Sequence, residues 1–223
     1  MCSSDLLGRI VAKMLAQKAA LAMSPYQFGV GVPGGAEIIS HATSLALTQP
    51  DTAVLAIDFA NAFNSIRRSA IYHGLRGYFP ELLQFFYWSY GTPTDLCETI
   101  TGIPFCQSQT GVRQGDPLGP LFFSIGITDM LATTKQLFPD VQILAYLDDI
   151  TLVGPRESCY AAYEIIRRDS FLIGLTVKAT KSFIYLANPD GYGAIDDNHR
   201  TNLHPRVLTD GGEILGVPIG RDT

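Results

Sequence analysis

Apolar residues recur at helical spacing between Gly8 and about residue 23, where Ile10, Val11, Met14, Leu15 and Leu21 are interleaved with Arg9, Lys13 and Lys18. That pattern predicts an amphipathic helix. "SPYQFGVGVPGG" reads as a loop punctuated by Gly and Pro, and Ala36 to Leu47 as a second helix with Glu37 in its first turn. "AVLAIDFA", residues 53 to 60, is a short apolar run bounded by turn residues, so it predicts a buried strand; its one charge, Asp58, lies near the end. Residues 66 to 78 and 80 to 90 carry helical patterns, the second rich in aromatics. Residues 96 to 109 alternate enough to predict a strand pair around Gly102 and Pro104. Pro117 to Phe138 reads as a long apolar helix opened by proline. Strand-like runs at 141 to 147 and 150 to 153 flank Asp148 and Asp149. Tyr160 to Leu172 is predicted helical, and 182 to 186 a strand.

The central order is therefore β, α, α, β, α, β, β, α, β. It predicts an α+β fold: a largely antiparallel sheet with helices packed on one face. Its most informative feature is where the acids fall. Asp58 closes one apolar strand, and Asp148–Asp149 sit between two others, so neighbouring strands would bring three carboxylates to one edge.

Composition narrows the picture. At 223 residues with 47% hydrophobic content, the chain is long and apolar enough for a substantial core. A net charge of −5 gives no electrostatic footprint for nucleic acid. Cys2, Cys97, Cys106 and Cys159 show no CxxC spacing; neither a zinc site nor a disulfide framework is indicated, and a reducing, intracellular setting (cytoplasm or nucleus) is expected. No apolar run approaches the ~20 residues that span a bilayer, so no membrane partner is expected. The ends read as cut. "MCSSDL" resembles the translated tail of a sequencing adapter, which sets residues 1–6 apart as a candidate artefact, and "EILGVPIGRDT" reads as a strand beginning before the chain stops.

Converging carboxylates without Arg or Lys partners share a proton or bind hard divalent cations. Two such ions about 3.5–4 Å apart serve phosphoryl transfer. The plainer reading of Asp148–Asp149 is a hairpin turn, where Asp is common, though the pair lacks the Gly or Asn that supports a tight two-residue turn. For Asp58 the plainer reading is a cap of the following helix. A third stretch, "GVRQGDPLGPLFF", sets Arg113, Gln114 and Asp116 among two glycines and two prolines at a helix start. Small residues there let a ligand approach backbone, and the helix N-terminus suits an anion.

"LAIDFANAFNSI", "GVRQGDPLGPLFF", "AYLDDITLVG" and "EILGVPIG" stand in an order and spacing that resembles reverse transcriptases of the retroelement (non-LTR retrotransposon) type. The upstream "PYQFGVGVPGGAEIISHA" is similar to the segment that precedes the first catalytic motif in such polymerases. The resemblance runs from Gly8 onward. It implies a polymerase palm with a ferredoxin-like core at 53–213, a remnant of the fingers base at 1–52, and the start of a primer-grip strand at 214–223, the thumb lying beyond. By the same resemblance Asp58 and Asp148 hold two Mg²⁺ ions (Mn²⁺ as substitute), with Asp149 as a supporting ligand. Phe63 matches the bulky residue that excludes a ribose 2′-hydroxyl; without the resemblance it would read as a core aromatic. Phe59, Arg113, Gln114, Gly115 and Tyr146 match positions around the incoming nucleotide and template. Lys181 matches a lysine near the phosphates that can protonate pyrophosphate. Leu215 and Gly216 match the primer grip.

Leu147 departs from the small residue common before the Asp pair. The implied partners are an RNA or DNA template, a primer, dNTPs and other domains of a longer polyprotein, whose basic surface would offset the acidic balance seen here. Arg67, Arg68, Arg167 and Arg168 are read as phosphate contacts or as a solvated face. A non-catalytic remnant, an RNA-templated RNA polymerase palm and a nucleotidyl cyclase share much of this pattern; Phe63 and the 111–119 loop favour deoxynucleotide polymerisation.

Overall fold

The computed structural model of the chain describes residues 3–49, 51–98, 100–186 and 205–220. Helices α1 (Ser3–Ala22) and α2 (Gly35–Ala46) lead into strand β1 (Thr52–Ile57). A single helical turn, α3 (Ala62–Ser65), precedes α4 (Arg68–Tyr78) and α5 (Leu83–Tyr90). The hairpin β2 (Thr94–Cys97) and β3 (Pro104–Ser108) follows, then the long helix α6 (Gly119–Leu137). Strands β4 (Gln142–Tyr146) and β5 (Asp149–Pro155) come next, with α7 (Arg156–Leu172) and β6 (Phe183–Leu186) after them. Last are β7 (Arg206–Leu208), β8 (Gly212–Ile214) and β9 (Val217–Ile219).

The main sheet runs β4-β5-β1-β6-β7, antiparallel throughout except for the β6–β7 pair. Its core is β1-α6-β4-β5-α7-β6, the split arrangement that keeps β1 central and makes β4–β5 a hairpin. Alternation along β1 explains why the whole run is apolar. Ala53, Leu55 and Ile57 face α6 and α7, packing with Phe122, Phe123, Cys159, Tyr163 and Ile166. Val54 faces the other way, with Leu144, Val153 and Tyr185, against Ile39 of α2 and Ile214 and Ile219 of the β8–β9 hairpin. The long helices thus cover one face as expected, and a smaller second core lies on the opposite side. Helix α6 reads as a long apolar run because most of it is buried, from Leu121 to Ile125 without a break; Asp129, Thr133, Gln136 and Leu137 reach solvent on its C-terminal half.

Several boundaries differ from the sequence reading. Helix α1 begins at Ser3, inside the segment set apart as an artefact; Met1 and Cys2 lie outside the described residues. The "EILGVPIG" stretch is a complete hairpin rather than a strand start, because Leu215 and Gly216 both take positive φ, 50° and 78°, in a two-residue turn. Helix α7 starts at Arg156, next to Pro155, and not at Tyr160.

Helices α4 and α6 meet at Gly74, where an added Cβ would lie 2.5 Å from Ile125 Cγ2 and 2.7 Å from its carbonyl oxygen. Gly74→Ala is accordingly expected to cost about 1–3 kcal/mol by overpacking, each kcal/mol lowering the thermal midpoint by about 2–4 °C. A circular-dichroism melt reads this directly, and an unchanged midpoint would show that the two helices can part freely.

Candidate active site

Asp58 follows the last residue of β1; Lys178 and Ser182 hold its backbone, and Thr176 holds that of Ala60 two residues on. The Lys178 N–H donates to the Asp58 carbonyl (2.7 Å), and the Ala60 N–H donates to Thr176 O (2.8 Å). The Asp58 N–H donates to Ser182 Oγ (3.1 Å). Ser182 is fully buried and its hydroxyl in turn donates to Lys178 O. Nothing in the sequence pattern singled out Ser182.

The β4–β5 hairpin delivers the acid pair. Register pairs Tyr146 with Asp149, leaving Leu147 and Asp148 as a two-residue turn. Leu147 has φ 57°, so the tight turn exists without Gly or Asn, contrary to the sequence expectation. A branched residue in that region carries strain of about 1–3 kcal/mol, which surrounding contacts must offset. Since Ile57 pairs with Ile150, Asp58 lies one step beyond that pair, beside Asp149.

The three carboxylates feel one another. Burial pushes the Asp148 carboxyl above its ordinary pKa, and the charge of Asp58 adds to this. Asp149 is pushed the same way by burial and by repulsion from Asp148 and Asp58. Lys181 Nζ stands 4.0 Å from Asp58 Oδ2, an open contact. A cleft of about 170 Å³ brings Asp58, Asp149 and Lys181 together with Glu213 and Leu215 from the β8–β9 turn region. Among the described residues, no three Asp, Glu, His or Cys side chains stand close enough to enclose one ion by themselves.

The remaining sequence candidates divide. Phe63 stacks on Phe123, with centroids 4.6 Å apart and planes 7° apart, and is only partly buried. Phe59 is buried in the main core, so only its backbone can face a ligand. Tyr146 is half-buried at the end of β4. Gln114 and Gly115 are exposed, Gly115 with φ 84° and nothing within 4 Å of an added Cβ. Arg113 and Asp116, read as ligand-facing, line a cleft with Gln114 and Gly115 and are also hydrogen-bonded within the protein. The Arg113 guanidinium donates to Ser89 O and Thr94 Oγ1, both at 2.8 Å. Asp116 accepts from the Tyr90 hydroxyl and from the Leu118 N–H (2.9 Å). Arg68 supports the same loop, donating to Gly111 O (3.2 Å), Tyr90 O (3.3 Å) and Ser108 Oγ (2.8 Å). Arg167 pairs with Glu164 and Arg168 with Asp169.

Residues 2–219 match the family described as reverse transcriptase (RNA-dependent DNA polymerase). The chain belongs to that family. A relative from Trypanosoma brucei gambiense, the retrotransposable element SLACS 132 kDa protein, is 32% identical over 205 residues, which is 85% of this chain and 16% of that protein. Among solved structures, telomerase from Candida albicans in complex with a fragment of telomeric RNA is similar with a TM-score of 0.61 and 15% identity, over 84% of this chain and 35% of that one. Apo telomerase from Candida tropicalis is similar with a TM-score of 0.63 and 12% identity, over 83% of this chain and 36% of that one. At these identities the telomerases speak for the fold. The reverse transcriptase chain thus spans about a sixth of the length of its curated relative and about a third of the telomerase chains. The family works with divalent metal ions and a nucleic-acid template. No helix among the described residues is long and apolar enough to cross a membrane.

Proposed function

We propose that residues 53–213 are the palm of an RNA-directed DNA polymerase from a retrotransposon-like element. Residues 1–52 would form the base of the fingers, and 214–223 the start of the primer grip. The rest of a longer parent would supply fingers and thumb; that the curated relative extends far beyond the matched region supports this. The carrying observation is that Asp58, one step past the end of β1, lies beside Asp149 with Asp148 next to it in the turn, and that burial and repulsion from neighbouring acids oppose ionisation of Asp148 and Asp149. Such a donor set of hard carboxylate oxygens suits Mg²⁺, which binds through one or two carboxylates and completes its shell with water and substrate phosphates. Bound there, two such ions would supply charge neutralisation for the triphosphate and a lowered pKa for the primer 3′-hydroxyl.

The chain's own residues divide the remaining work. Asp58 and Asp148 hold the ions and Asp149 supports them. Lys181, on the open side of Asp58, offers a proton to departing pyrophosphate. Gln114 and Gly115 present an exposed, side-chain-poor surface to the nucleotide and template base, braced from behind by Arg68, Tyr90, Arg113 and Asp116. Leu215 and Gly216 turn the β8–β9 hairpin toward the cleft, where a primer strand would lie. The scattered cysteines, of which Cys97, Cys106 and Cys159 are free, suit a reducing cytoplasm or nucleus.

The test is extension of a DNA primer on an RNA template by the parent protein, with dNTPs and Mg²⁺ or Mn²⁺. Incorporation that stops on chelation is expected; incorporation indifferent to divalent ions would overturn the reading. Phe63 supplies a sharper expectation. Clamped against Phe123, its ring blocks a ribose 2′-hydroxyl by shape. Phe63→Ala is therefore expected to raise relative ribonucleotide incorporation by about 10–200-fold, the range of a pocket change worth 1–3 kcal/mol. Unaltered sugar discrimination in a competition assay would assign Phe63 to the core alone.

A further inference from the structure

Leu147 is a branched residue held at φ 57° immediately before Asp148. What holds it lies 120 positions earlier in the chain. Gln27 is only 3% exposed. Its Oε1 accepts from the Leu147 N–H (2.7 Å) and from the Gly29 N–H (2.9 Å). Its Nε2 donates to the Leu147 carbonyl (3.3 Å). One buried amide thus satisfies both backbone polar groups of the residue that opens the turn. Backbone bonds bring it there: the Phe28 N–H donates to Ala145 O (2.7 Å) and the Ala145 N–H to Tyr26 O (2.8 Å), so residues 26–28 lie along β4. Gly29 completes the fit, since a Cβ there would stand 2.8 Å from Leu147 Cγ and 2.9 Å from Leu147 N.

We propose that Gln27 is a positioning residue for catalysis: it fixes the Leu147–Asp148 segment and thereby aims the Asp148 carboxylate. This rests on the polymerase reading of the acid pair, but the clamp itself does not. Glutamine is the side chain the geometry asks for. Both an acceptor and a donor are needed at one reach, so glutamate would set an oxygen against the Leu147 carbonyl, and methionine of similar shape would leave both backbone groups unsatisfied. The rest of the hairpin is secured by its own ladder, so the loss falls on the turn.

Hydrogen exchange of the 223-residue chain reads the clamp. In Gln27→Met the Leu147 amide is expected to exchange about tenfold faster, matching roughly one lost hydrogen bond, while amides of β1 and β5 keep their protection. Gln27→Glu, which keeps the acceptor, is expected to restore most of that protection. Wild-type protection of Leu147 in Gln27→Met would overturn the proposal whatever the enzyme does. Should Gln27→Met fail to fold, Gly29→Ala presses on the same peptide and is expected to accelerate the same amide; no change there overturns the proposal equally. In the parent protein, Gln27→Met and Gln27→Glu are both expected to lower kcat for primer extension about tenfold with the dNTP KM unchanged, the signature of a group acting in the chemical step. A kcat within twofold of wild type, with the Leu147 amide freed, would overturn the positioning role. If the wild-type parent incorporates nothing, it is the polymerase reading that falls, and the exchange data still decide whether Gln27 sets the turn.

Discussion

Asp148→Asn is expected to lower primer extension by the parent protein at least about 10³-fold while raising the thermal midpoint of the metal-free chain at neutral pH. The two halves share one cause. Asp148 ionises against burial and against the charge of Asp58, so the folded chain bears an anion it would be more stable without. Asparagine keeps the shape of the turn and removes that anion. Relief of a single partly exposed carboxylate is small, and a gain of about 2 °C is the expected scale. The catalytic loss is large because the carboxylate holds charge that must be in place for phosphoryl transfer, and a factor of 10³ corresponds to about 4 kcal/mol in the barrier. Primer extension and a calorimetric scan of the same variant check both. Extension within tenfold of wild type would remove Asp148 from the catalytic set, and a lowered midpoint would show that its carboxylate is a structural partner instead.

Destabilising anions at the end of an otherwise well-packed sheet also explain why the site was partly legible in the sequence. An apolar run ending in a single acid, and a doublet between two apolar runs, break the local rules that strands otherwise follow here, and such breaks concentrate where function demands them. The alternation of strand and helix patterns was equally readable, because β1, β4 and β5 are apolar runs of strand length and α6 is a long one with proline at its start. What stayed hidden depends on residues far apart in the chain. The turn at Leu147–Asp148 lacks Gly because Gln27 supports the strained residue across 120 positions, and no local pattern records that. Arg113 and Asp116 look ligand-facing in a Gly-rich loop, which gives no sign that Tyr90, Ser89 and Thr94 also hold them. Arg68 reads as half of a solvated pair and is the brace of that loop. The second core escaped notice because its members, Ile39, Val54, Leu144, Val153, Tyr185, Ile214 and Ile219, come from seven separate elements.

Stability and activity are expected to run in opposite directions as pH falls below neutral. Asp148 and Asp149 both keep a proton to higher pH in the folded chain than an ordinary aspartate does, from burial first and repulsion among the acids second. Between the ordinary carboxylate range and those raised values the folded state therefore binds more protons than the unfolded one. By linkage, metal-free stability rises as pH falls through that window and is lost as pH climbs back. Activity has the opposite sign, since only the ionised carboxylates can hold divalent cations. If both must be charged, kcat/KM falls up to about 100-fold per pH unit on the acid side, and the fall starts at higher pH than free aspartates would give. Cations reverse the stability trend by binding the folded chain: at a concentration 100 times its dissociation constant an ion adds about 2.7 kcal/mol. A set of melts across pH with and without Mn²⁺, beside the pH profile of primer extension, tests the scheme. The expected outcome is a Mn²⁺-dependent rise in midpoint at neutral pH that vanishes on the acid side together with activity. A midpoint indifferent to Mn²⁺ at every pH would mean that the three acids at the end of β1 and β5 recruit no metal, and the polymerase chemistry would have to be sought elsewhere in the chain.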